Sequence, residues 1–84
     1  MVMRQRLTEA EVARAALPAL ERSLTAAQAN LQQAEARFKA GLSTSVELAD
    51  AEALLTEAQN QLALGRFDEA RARARLARAL SEAL

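Results

Sequence analysis

Apolar residues recur through the first half of the chain at Ala13, Leu17, Leu20, Leu24, Ala27, Leu31, Ala34 and Phe38. The steps alternate between four and three residues, the spacing of a heptad seam along one face of an α-helix. Upstream, Met3, Leu7 and Ala10 join this frame only through a three-residue slip, which predicts local strain near Ala10. A second seam runs through Leu48, Ala51, Leu55, Ala58, Leu62, Gly65, Glu69, Ala72, Leu76, Ala79 and Ala83. Leucine takes one set of its positions, at 48, 55, 62 and 76, and Ala or Gly the other, at 51, 58, 65, 72 and 79. The first seam divides similarly, with Leu17, Leu24, Leu31 and Phe38 set against Ala13, Ala27 and Ala34. Small residues let two backbones approach while leucines interdigitate, so the pattern predicts antiparallel helices crossing at a small angle. Glu69 is the polar misfit on this seam and marks a wet stretch.

Between the seams the chain reads as a helix stop followed at once by a helix start. Gly41 suits the position after a helix C-terminus, where a left-handed backbone is needed and only glycine escapes the steric cost. Leu42 and Ser43 form the loop. Thr44-Ser45-Val46-Glu47 fits a capping box, in which the Thr44 hydroxyl accepts from the third helical amide and Glu47 reaches back. Glu47, Asp50 and Glu52 add negative charge near the helix N-terminus, where the macrodipole favours it. The expected fold is all-α: one long antiparallel two-helix coiled-coil hairpin spanning residues 1–84. Its helices should cover about 7–40 and about 44–83, with the turn at 41–43 and residues 1–6 frayed.

Two residues test this picture. Pro18 lies inside the first seam, where proline removes a backbone hydrogen bond and crowds the preceding turn. The helix either runs through it with a kink or begins near it after a separate short helix. The unbroken phase of Leu17, Leu20 and Leu24 favours the kinked, continuous helix. Gly65 is the other candidate break, with Asp68 as a cap beyond it. Its place on the small-residue seam favours helix interior, at a propensity cost of about 1 kcal/mol. A further strip, Val46, Ala49, Ala53, Ala63, Phe67, Ala70, Ala74, Ala77 and Leu84, lies off the seam. A hairpin uses one seam per helix, so this strip predicts further helices alongside. The expected assembly of the isolated chain is a homodimer forming an antiparallel four-helix bundle. Alanine propagating helix on a solvated face is the plainer reading of the same strip.

Composition narrows the chemistry. Of 84 residues, 22 are Ala and 14 are Leu, with Phe38 and Phe67 the only aromatics. That supports thin helix–helix seams and not a thick core. Eleven basic and eleven acidic residues cancel, which argues against a nucleic-acid partner. With no Cys and no His, thiol catalysis, a Ser-His-Asp triad, and zinc, iron–sulfur or haem sites are not expected. No catalytic, cofactor-binding or metal residue is assigned, and the chain is not read as an enzyme. The pairs Glu47/Asp50 and Asp68/Glu69 are read as capping and solvated carboxylates. Arg71, Arg73, Arg75 and Arg78 scatter around the helix as a solvated face. No apolar run approaches the ~20 residues of a membrane span, so this segment is not expected to insert in a membrane. Its first residues do not read as a secretory leader, so a chain made as written is expected to stay in the cytoplasm.

The tip carries a resemblance. Ala36-Arg37-Phe38-Lys39-Ala40-Gly41, then Ser43 or Thr44, Val46-Glu47-Leu48 and Asp50-Ala51 is similar to a motif of TolC-like outer membrane efflux proteins. The run Leu54, Ala58, Leu62, Ala63, Phe67, Ala70, Leu76 and Ala79-Leu80 resembles the helix that follows it in that family. The incoming helix is matched by Leu24, Ala27, Leu31 and Ala34, and the similarity covers roughly residues 10 to 82. It implies one hairpin of a periplasmic α-barrel within a trimeric outer-membrane channel, with the turn at the periplasmic end. There Gly41, Leu42, Ser43 and Thr44 would meet the adaptor protein of a tripartite pump. Phe38, Glu47 and Asp50 would lie near the entrance constriction. Phe38 stands where the family commonly has tyrosine, and Ser43 where some members carry a basic residue.

A competing resemblance lies further on. Leu62-Ala63-Leu64-Gly65-Arg66-Phe67-Asp68-Glu69-Ala70 is similar to the middle of a tetratricopeptide repeat, a helical-repeat interaction domain. The two glycines are 24 residues apart, not the roughly 34 of that repeat. The readings part at Gly65, which is helix interior in one and a turn in the other.

Overall fold

A computed structural model describes residues 2–83. It contains α1, Val2–Lys39, and α2, Ser45–Ala83, packed side by side as an antiparallel hairpin of 65 × 14 × 14 Å. No strand occurs among the described residues. The length follows from the helices: a helix of this size at ~1.5 Å rise per residue is nearly as long as the molecule. The core is the pair of seams facing each other. On α2 the side chains of Ala51, Ala58, Leu62 and Ala72 are buried, and Leu48, Leu55, Gly65, Leu76 and Ala79 are half-buried beside them. On α1, Ala13, Leu17, Leu20, Leu24, Ala27, Leu31 and Ala34 are half-buried.

Both suspected breaks are continuous helix. α1 runs through Pro18 and α2 through Gly65. The tetratricopeptide reading required a turn at Gly65, and that turn is absent. The reason Gly65 is glycine lies across the interface. A Cβ built there would collide with Leu20 Cδ1 and come within 3.5 Å of Leu17 Cδ2. Leu20 occupies a first-seam position that otherwise carries Ala, and Gly65 replaces an Ala in the small series of the second seam. A large residue has moved into the small row, and the opposing row has given up its last carbon to admit it.

The open end departs from expectation. Helix begins at Val2, ahead of the Leu7 start, and the frame does not slip. Counted back from Ala13, the unbroken heptad phase lands on Ala10, Arg6 and Met3, all half-buried, while Leu7 is 46% exposed. The Arg6 stem fills the seam position and its guanidinium donates to both Glu9 oxygens, at 3.0 and 3.2 Å. Arg75 of α2 approaches the same carboxylate at 4.0 Å, so a charged cluster joins the helices where apolar packing was expected. Glu69 stays on the seam with only 17% of its side chain exposed, its carboxylate 3.6 Å from the Arg73 guanidinium. Ala83, expected on the seam, is exposed. Met1 and Leu84, assigned to the frayed start and the outer strip, lie outside the described residues.

Candidate functional site

The tip is built from two complementary caps. At the end of α1, Leu42 N–H donates to the Arg37 carbonyl at 2.8 Å and Gly41 N–H to the Phe38 carbonyl at 3.0 Å. This crossed pair is the Schellman arrangement, and it needs a left-handed residue at its pivot. Gly41 supplies it with φ of 75°. Nothing lies within 4 Å of where a Cβ would stand, so the demand on Gly41 is conformational and not steric. Arg37 adds a long hydrogen bond from its guanidinium to the Leu42 carbonyl at 3.4 Å. With Lys39 it also places positive charge at the helix C-terminus, where the dipole favours it.

The start of α2 is capped by Thr44. Its hydroxyl accepts from Glu47 N–H at 3.2 Å, and its carbonyl accepts the first helical bond from Leu48 N–H at 3.1 Å. The Glu47 carboxylate finds a partner that sequence reasoning did not name. The Ser43 hydroxyl donates to it at 2.6 Å, so the cap is anchored one residue before the box. That bond is the main cause holding the Glu47 carboxyl below its ordinary value. Desolvation opposes it, while the Thr44 backbone and the Arg37 charge act in the same direction as Ser43. The signal for this bond was present in the sequence, as a hydroxyl four residues before the glutamate. It was hidden by Thr44, the better-known capping position.

Turn and helix ends together fix what the tip displays. Leu42 projects 70% exposed from the apex, and Val46 is 66% exposed on the first turn of α2. Phe38, the last apolar position of the α1 seam, is 42% exposed because α2 starts only at Ser45 and no side chain of its seam reaches past it. Glu47 and Asp50 border a shallow concavity of about 460 Å³ with Asn30, Arg37 and Leu54. The structure thus brings Glu47 and Asp50 together on one face, with Arg37 across from them. Phe38 does not line that concavity. Among the described residues no three acidic side chains converge, and no helix is long and apolar enough to cross a membrane.

Comparison with known proteins gives one match. No curated protein and no solved structure matches the chain. The family model described as outer membrane efflux protein matches residues 3–82, nearly the whole chain. The match spans both helices and the turn. The family is one of channels and transport and not of enzymes. By this match and by its fold, the chain belongs to the outer membrane efflux protein family.

Proposed function

We propose that this chain is a periplasmic helical hairpin of an efflux or type I secretion channel, and that its turn is the end that docks an adaptor protein. The observation that carries the reading is the exposed Leu42 at the apex of a rigid double cap. An apolar side chain at a solvent-facing apex has little local stabilising role, and here the backbone that presents it is fixed by hydrogen bonds on both sides. Gly41, Ser43 and Thr44 shape that apex. Phe38, Glu47 and Asp50 are the positions assigned to the channel constriction, with the two carboxylates supplying charge and the ring supplying bulk. The barrel wall needs neighbours on both flanks of each hairpin, and the outer strip of Val46, Ala53, Phe67 and Ala70 is the surface for them. In isolation the same surfaces drive homodimerisation into a four-helix bundle.

A graft tests the docking role. Residues 31–55 replace the equivalent hairpin end of a TolC-like channel whose adaptor is known, and drug efflux is measured in cells. The graft should retain efflux, and Leu42→Asp within it should abolish efflux while the channel still assembles. Equal efflux with and without Leu42→Asp would remove the turn from the docking surface.

A further inference from the structure

We propose that the hairpin carries a hinge at the level of Pro18 and Gly65, about which the tip half flexes relative to the open end. Proline has no N–H, so the Arg14 carbonyl one turn earlier loses its helical donor. Glycine is the weakest non-proline residue in a helix interior. These two weak points stand at the same height. Gly65 faces Leu17 and Leu20, the two residues that bracket Pro18. A rod of two helices bends where both are soft at one level, and resists where one soft point faces a sound helix.

Packing around this level points the same way. Ala51, Ala58 and Leu62 are buried on the tip side and Ala72 on the other, and no described residue between Leu62 and Ala72 is buried. An open groove of about 910 Å³ lies along one face here, flanked by Val12, Ala16, Leu20, Leu64 and Gly65. Pro18 is not among the groove residues; it sits exposed on the other flank of α1. A proline ring crowds the carbonyl one turn back and opens the helix on its own side, so the helix bends away from it. That direction is into the open groove. The charged cluster of Arg6, Glu9 and Arg75 keeps the helices joined beyond the hinge.

Residual dipolar couplings from the backbone amides of the weakly aligned 84-residue chain test the hinge. In the wild type the tip half (20–62) and the outer segments (2–16 and 67–83) should require separate alignment tensors, with the outer one reduced in magnitude. Pro18→Ala, which installs a strong helix former, should bring the two tensors together, and Pro18→Ala/Leu20→Ala/Gly65→Ala, in which the truncated Leu20 makes room for the new Cβ, should merge them. A single full-strength tensor for the whole wild-type hairpin would overturn the proposal. So would two tensors that persist unchanged in both variants, because the motion would then arise elsewhere.

Discussion

At the scale of single residues the tip is governed by two constraints of different kind. Gly41 is held by backbone conformation alone. Gly41→Ala should therefore destabilise the hairpin by roughly 1–2 kcal/mol, the cost of a Cβ in the left-handed region, and Gly41→Asn by less, read by urea unfolding at fixed chain concentration. Ser43 and Glu47 are coupled by a hydrogen bond. Its loss in Ser43→Ala should raise the Glu47 carboxyl toward its ordinary value, as followed by carbon NMR of the side chain. The sign for stability follows. A carboxyl held low in the folded chain contributes stability above the unfolded value of ~4.3 and loses it as pH falls through the lower folded value. Glu47→Gln should remove that part of the acid sensitivity. Gly41 and Thr44 were legible in the sequence because each sits at a position with a known backbone demand. The Ser43 partner was not, because three hydroxyls in a row, Ser43, Thr44 and Ser45, competed for one role.

At the scale of the helices the heptad phase did most of the work. Once Ala13 to Ala34 and Leu48 to Ala79 were in register, the half-buried and buried positions followed one for one. The open end was less legible because the apolar Leu7 lies off the heptad phase. The frame passes instead through Arg6, whose stem is apolar and whose head reaches Glu9. The Leu20–Gly65 exchange is the sharpest pairwise feature of the interface and predicts non-additivity. In a Leu20→Ala background, Gly65→Ala should stabilise by about 1 kcal/mol through helix propensity. In the wild type the same change meets Leu20, and the gain should shrink or reverse, giving a coupling energy above ~0.5 kcal/mol. A coupling near zero would contradict the exchange. Burial sets a second contrast. Leu62 is 4% exposed and Leu64 is 63% exposed. Leu62→Ala should cost roughly 2 kcal/mol or more, and Leu64→Ala within ~0.5 kcal/mol.

At the scale of the molecule the hairpin is a thin object. Of the described residues only Ala51, Ala58, Leu62 and Ala72 are buried, all of them on α2. Three are alanines, so little apolar surface leaves water and two helices alone have small stabilising reserve. Meanwhile Val12, Val46, Leu54, Leu64, Phe67 and Leu80 remain exposed on its flanks. The chain should therefore self-associate. Sedimentation equilibrium should show a dimer, with Phe67→Glu shifting it toward monomer, whereas a well-folded monomer at all concentrations would count against the account. The hairpin architecture was legible because both seams and both caps agree with it. Which flank meets which neighbour was not, since alanine strips on an exposed face look the same whether water or another helix covers them.

The turn is the proposed contact end of the hairpin. The most direct test places a photo-crosslinking amino acid at position 42 of the residue 31–55 graft, in a channel assembled with its adaptor. Position 54, exposed but away from the apex, serves as the control. A contact end at the turn should give a crosslink to the adaptor from position 42 and none from position 54. No adduct from position 42, or equal adducts from both, would contradict it.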